Sequence, residues 1–308
     1  LTGPVSLRRF LTEADVDLTE LYAGGDRGWT KLRRQAGHAL PPPTPDEPPL
    51  ARAIGRLLHV NDPERFRVWR ALLDHDAPPP ELKLNHPDHR LLYMLASILD
   101  TQRRPLAEQP AVLADLLANQ PLRQELTELL ALLEDGVRRP TRQHDLPIPA
   151  PLHLHADYQL AEIMAALGVV DTNSTKLVRP QAGVFWHQRY ASDLFFITLD
   201  KSEKDYSPTT MYKDYPISPT LFHWQSQSNT REDSPTGRRY REHATRGSHI
   251  LLFVRKRKQD DRRVTAPYTV LGPAIYESHQ GERPMSITWR LDHPMPAELF
   301  EEIKVAAG

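Results

Sequence analysis

The sequence predicts an α+β protein, with a helical N-terminal half followed by a small, strongly curved, β-barrel-like domain. Three observations predict it. Apolar residues recur at helical spacing through the first half and in short, ring-rich and β-branched runs through the second. Proline-rich breaks punctuate the first half. Of the 23 aromatic residues, 16 fall between Gln181 and Phe300, which moves the ring density to where strands are expected.

Taken in order, "SLRRFLTEADVDLTELY" sets Leu7, Phe10, Leu11, Leu18 and Leu21 near a 3.6-residue period, and "LARAIGRLLHV" repeats it with Leu50, Ile54, Leu57 and Leu58. "RLLYMLASIL" is apolar almost throughout and predicts a buried helix. "PAVLADLLANQPLRQELTELLALLEDG" predicts a helical hairpin whose second helix restarts at Asn119-Gln120-Pro121 and closes at Gly136. "HALPPPTPDEPP", "DHDAPPPE" and "RRPTRQHDLPIPAP" are breaks, because proline has no backbone N–H to donate. The last of them sets the domain boundary, giving domains 1–150 and 151–308. "DYQLAEIMAALGV" is one more helix, and "VFWHQRYASDLFFITLD", "SHILLFVRKRK", "PYTVLGPAIYESH" and "MSITWRLD" predict strands.

With 308 residues, 39% hydrophobic and 26% charged, the chain reads as globular. It contains no cysteine, which removes disulfides, thiol nucleophiles and thiolate zinc sites. No run of about 18 apolar residues and no signal-peptide core is visible, so the expectation is a cytoplasmic protein. The first residue is not Met, as in a piece cut from a longer polypeptide. The net charge of −1 conceals a basic stripe from Arg231 to Arg263, where eleven Lys and Arg face five acids. Such a stripe suits a polyanion-binding surface, or equally a solvated hairpin with a charged tip.

Phosphate-cradling loops, dinucleotide fingerprints and the G-x-S-x-G nucleophile turn are all missing, so no catalytic residue and no cofactor is expected. His153, His155 and Asp157, and the pair His86 and His89, have metal-like spacing but no third histidine nearby; caps and core positions account for them better, and no metal is expected. The stretch "LDKSEKDYSPTTMYKDYPISPTLFHWQSQSNT" is different, because it gathers cations, rings, hydroxyls and amides in one Pro- and Ser-rich segment. That chemistry suits nucleic acid. Tyr212, Asp214, Tyr215 and Trp224 are expected to form a base pocket, the rings for stacking and the carboxylate for an exocyclic amine. Lys201, Lys204, Arg238, Arg239 and Arg241 are expected on the DNA backbone. For any one of these rings, filling the core of a β domain is the competing role.

Blocks from about Tyr158 to Pro296, including "DLFFITLDKSEKDYSPTTMYKDYPISPTLFHWQSQSNT", "SPTGRRYREH", "ILLFVRKRK" and "PYTVLGPAIYESHQGERPMSITWRLDHPMP", resemble the C-terminal region of large bacterial proteins. In those proteins a phospholipase-D-like nuclease and a superfamily-two helicase precede the region, as in SauUSI-like type IV restriction enzymes. The resemblance implies that residues 1–150 are a helical linker or coupling domain and residues 151–308 a DNA target-recognition domain. It implies an ATP-dependent parent endonuclease and a fragment that neither hydrolyses ATP nor cuts DNA. The implied partners are duplex DNA with 5-methyl- or 5-hydroxymethylcytosine and the upstream motor and nuclease, with a second copy of the chain as a further candidate; no membrane is implied. One methyl contact is worth only about 1 kcal/mol, so a flipped base enclosed in an SRA/PUA-like barrel is the expected means of discrimination. The alternative is a helicase accessory module that binds DNA structure or mediates assembly without reading base modification.

Overall fold

The structure is a computed structural model, and it describes residues 5–23, 27–143, 146–180, 183–200, 213–260 and 264–307. The chain divides into two compact units, one of Leu1–Pro140 and Gln159–Arg179, the other of Thr141–Tyr158 and Pro180–Gly308. Residues 159–179, which follow the boundary expected near residue 150, therefore pack with the helical unit.

The helical unit contains α1 (Leu7–Ala14), α2 (Leu18–Leu21), α3 (Trp29–Gln35), α4 (Glu47–Ile54), α5 (Pro63–Leu73), α6 (Pro87–Leu99), α7 (Ala111–Ala118), α8 (Gln120–Asp135) and α9 (Leu160–Leu167). Its centre is α6, whose residues Leu91 to Leu99 are buried at all but one position, matching the apolar run in the sequence. The expected restart is present: Asn119 caps α8 by accepting from the Leu122 amide at 3.1 Å, and Gly136 follows the last turn. Helix α9 is held by a buried ionic cluster. Arg65, fully buried, binds Asp62 and donates to Glu162 at 2.8 Å, and the His59 ring meets the other Glu162 oxygen at 2.5 Å. Glu162 also accepts from the Gln159 amide, closing a capping box. Burial works against its charge, but His59 and Arg65 outweigh it, and the carboxyl is held below its usual range.

The second unit carries β1 (Asp157–Tyr158), β2 (Val184–His187), β3 (Ser192–Thr198), β4 (Tyr215–Ser218), β5 (Leu221–Gln225), β6 (His249–Arg255), β7 (Tyr268–Gln280) and β8 (Ser286–Leu291), with α10 (Pro235–Glu242) and α11 (Ala297–Ala307). The strand order is β2-β3-β6-β7-β8-β5-β4, with β1 added to β7. Only β3 and β6 run parallel; the other pairs are antiparallel. The expected closed barrel is corrected here: the sheet is open, ending at β2 and β4, and no ladder joins those two edges among the described residues. Closure needs a staggered ladder between the first and last strands, whereas here the face of the sheet is covered by helices. Alternate residues of β3, β5, β6 and β8 form a core with Tyr240 of α10 and Leu299 and Ile303 of α11. On β7, Gly272 has φ +87°, and a Cβ there would come within 2.4 Å of a Leu154 methyl, so only glycine lets that leucine reach the sheet.

Candidate nucleic-acid interface

The face of the sheet beneath α10 collects most of the polar chemistry of this unit. Helix α10 starts at Ser234, whose hydroxyl accepts from the Gly237 amide at 3.1 Å, with Pro235 in the first turn. The preceding chain folds so closely over this turn that a Cβ on Gly237 would stand 2.0 Å from the Arg231 carbonyl oxygen. The sequence "REDSPTG" thereby packs Glu232 and Arg241 together, and Arg241 donates to the Glu232 carbonyl at 3.0 Å.

A β-bulge on β7 supplies the rest. Tyr276 pairs with Trp289 and Ser278 with Thr288, so Glu277 is the extra residue. One extra residue reverses the alternation, which brings Tyr276 and His279, three apart, onto the same face. The Tyr276 amide donates to Nε2 of buried His243 at 3.0 Å. His243 Nδ1 therefore carries the proton and donates to the Ser248 carbonyl at 3.3 Å. On the outer side, His279 Nε2 donates to Glu232 at 3.0 Å, and its Nδ1 accepts from the Tyr276 hydroxyl at 2.7 Å. Tyrosine, imidazole and carboxylate form a continuous hydrogen-bonded chain with Arg241 beside it. Burial pushes the Tyr276 hydroxyl above its usual range, so it stays protonated at neutral pH and acts as a donor rather than a phenolate nucleophile. Arg241 Nε is buried without a hydrogen-bond partner among the described residues.

The residues expected from the sequence separate. Lys201, Lys204 and Tyr212 lie outside the described residues. Tyr215 and Trp224 do not share a pocket, because strand alternation puts them on opposite faces. Trp224 is 5% exposed and stacks on Phe195 at 4.2 Å, with Tyr240 edge-on at 5.6 Å, inside the core. Tyr215 is 40% exposed and stacks on His223 at 4.5 Å. Asp214 is buried, and its Oδ1 accepts from the Gln225 amide at 2.9 Å. Of the four residues expected in the pocket, the three described are a core ring, an interior carboxylate and an outward ring.

The basic stripe divides as well. Arg239 is bound bidentately to buried Asp193, at 2.7 and 2.9 Å, with its guanidinium 4.4 Å over the Trp186 ring. Burial raises the Asp193 carboxyl against the pull of Arg239, which leaves it above its usual range. Arg238 is exposed on α10, and Arg241 is half-buried beside Tyr276. Lys256, Arg257 and Lys258 sit at the other end of β6, a strand of 7 residues and so about 20 Å away. The Asp200 amide donates to the Lys256 carbonyl at 2.8 Å, and Lys256 pairs with Glu302 at 3.3 Å.

The histidines with metal-like spacing are otherwise engaged. His153 and His155 are buried, Asp157 accepts from the Thr269 hydroxyl, and Asp88 binds Arg67 at 2.7 Å. Among the described residues no group of three or more His, Cys, Asp or Glu could hold a metal ion. Sequence reasoning missed the chain of Tyr276, His279 and Glu232, because residues 232 and 279 are far apart and the bulge has no composition signal.

Residues 152–303 match the family described as Domain of unknown function (DUF3427). It is a domain found in helicase-associated proteins. No curated protein matches the chain. The DUF3427 region spans β1 to β8, α10 and most of α11, together with α9 of the helical unit, so the α10 face lies wholly within it. Among the described residues no helix is long and apolar enough to cross a membrane.

Proposed function

We propose that this chain is the DNA-recognition portion of a helicase-linked, modified-cytosine-dependent restriction enzyme of the SauUSI-like type IV kind, and that it contributes binding rather than bond cleavage. The observation that carries the proposal is the α10 face of the DUF3427 region. Arg238 and Arg241 offer cations and N–H donors, and Tyr276, whose proton goes to His279, offers a hydroxyl oxygen aimed by a bulge that is left to accept. Phosphate oxygens accept from the arginines, and the exocyclic amine of cytosine can donate to the Tyr276 oxygen. Arg239, expected on phosphate, instead supports the face by tying α10 to β3 through Asp193. Tyr215, exposed on strand β4 but on the sheet face opposite α10, is a separate ring on which an extruded base would stack around that edge; Trp224 and Asp214 lie in the interior. Extrusion of the cytosine remains part of the proposal, since a single methyl gives too little discrimination to a shallow contact.

The test measures binding of one duplex sequence, with cytosine, 5-methylcytosine or 5-hydroxymethylcytosine at one position, to the wild type and to Arg238→Gln, Tyr276→Phe and Tyr215→Ala. Arg238→Gln weakens all three duplexes alike, as loss of a phosphate contact does. Tyr215→Ala or Tyr276→Phe narrows the difference between modified and unmodified DNA. Wild-type protein that binds none of the duplexes refutes the proposal.

One observation favours the alternative of an assembly module. Among the described residues strand β4 is an edge strand, and it exposes Tyr215 at 40% and Ile217 at 45%; an apolar edge invites pairing with another chain. Sedimentation of the full chain, compared with an Ile217→Lys variant, separates the two, since only the assembly module changes its mass.

A further inference from the structure

The helical unit gathers Arg27, Arg52, Arg56, Arg103 and Arg179 from distant parts of the sequence, and none of the five has a counter-charge among the described residues. A cavity of about 200 Å³ opens between α3 and α4, lined by Arg27, Lys31, Arg34, Arg52 and Glu47 among others. Its one carboxylate is taken: Glu47 binds Arg34 through both oxygens, at 3.0 and 2.9 Å. Arg27 and Arg52 have neither an ion pair nor a side-chain hydrogen bond among the described residues.

The positive surface continues past the cavity. Arg56 follows α4, and its guanidinium is pushed down first by burial and then by Arg52 and Arg103. Arg179 is pushed down by burial and by Arg103. The fold brings these residues together. The Leu106 amide donates to the Thr175 carbonyl at 2.9 Å, joining the loop after α6 to the turn before Arg179. Arg103 has φ +57°, a left-handed conformation that arginine rarely adopts, held in this same loop. Arg52, Arg56, Arg103 and Arg179 all keep much of their surface in solvent, though protein partly covers Arg56 and Arg179, and none has a carboxylate partner among the described residues. Several other arginines of this unit are paired, as Arg8 is with Asp135, Arg67 with Asp88 and Arg70 with Glu134. A protein gains no stability by crowding like charges; a polyanion threaded past them relieves the repulsion.

We propose that Arg27, Arg52, Arg56, Arg103 and Arg179 form a track on the helical unit that binds the phosphate backbone of nucleic acid, independently of base modification. The cavity between α3 and α4 seats one phosphate, and the exposed arginines beyond it take its neighbours along the strand. The same chemistry could come from free phosphate, and the test distinguishes the two.

The probe is a labelled duplex of about 20 base pairs without modified bases, long enough for the several phosphate contacts proposed. It is titrated with the full chain over a range of salt. The variant Arg52→Gln/Arg56→Gln/Arg103→Gln is compared with a control of equal charge change, Arg8→Gln/Arg67→Gln/Arg70→Gln. Removing the track weakens binding at least about ten-fold and flattens the slope of log K against log salt by about 2 to 3, at about 0.9 per phosphate contact. The control changes both much less. Circular dichroism checks the folding of each variant, and Arg27→Gln/Arg179→Gln replaces the first should it misfold. Equal effects from track and control, or none from either, overturn the proposal. Saturable calorimetric binding of inorganic phosphate that the track variant abolishes, with duplex affinity unchanged, also overturns it in favour of a free-phosphate site. Because the duplex is unmodified, failure here leaves the reading of cytosine modification standing, and the reverse also holds.

Discussion

Trp224 and Tyr215 were expected to do the same work, and one residue of strand register gives them different roles. Truncating Trp224 removes a ring packed between Phe195 and Tyr240, so Trp224→Ala is expected to cost about 3–5 kcal/mol in chemical denaturation, whatever it does to DNA. Tyr215→Ala, at an exposed edge, should change stability by no more than about 0.5 kcal/mol and is the cleaner probe of binding. His243 gives a pH dependence with a definite sign. Burial holds its pKa below the usual value, and its Nε2 must stay unprotonated to accept from Tyr276. The unfolded chain takes up this proton near pH 6.5 and the folded chain only at lower pH, so stability is full above about 6.5 and falls as pH drops toward the folded pKa. His243→Gln should flatten that part of the profile; a wild type whose stability is level from pH 7 to 5 contradicts this role.

At the scale of elements, α9 and α10 show how much the sequence displayed. The 3.6-residue period in "LAEIMAALG" was read as a helix, whereas α10 was not expected, although its Ser-Pro start is an equally local signal. What Glu162 does was not readable: its partners His59 and Arg65 lie about a hundred positions upstream, and only the fold brings them to α9. Glu162→Ala leaves Arg65 buried without that counter-charge and should destabilise the helical unit by about 3–5 kcal/mol, seen as an earlier unfolding transition; a shift under 1 kcal/mol would contradict it. In α10, Gly237→Ala forces a methyl against the Arg231 carbonyl and should loosen the turn that carries Glu232, costing about 1–3 kcal/mol. The bulge on β7 was likewise invisible, since an extra residue in a ladder depends on its partner strand and not on composition. A stripe that is contiguous in sequence proved to be two clusters at opposite ends of β6, whereas the arginines of the helical unit, scattered in sequence, converge. Charge read along a chain reports little about charge on a surface.

At the scale of the whole molecule, a helical half followed by a sheet was legible from periodicity and ring density, while the closed barrel was not borne out. Short, aromatic strands fit an open sheet as well as a barrel, and pairing between β2 and β4 leaves no mark in either strand alone. The central claim is that the DUF3427 region binds DNA and distinguishes modified from unmodified cytosine. The most direct measurement is competition at fixed salt between two duplexes identical except for one 5-methylcytosine. The account predicts that the methylated duplex displaces the unmethylated one at a several-fold lower concentration, and that Tyr215→Ala reduces that advantage. Equal competition by the two duplexes would contradict it.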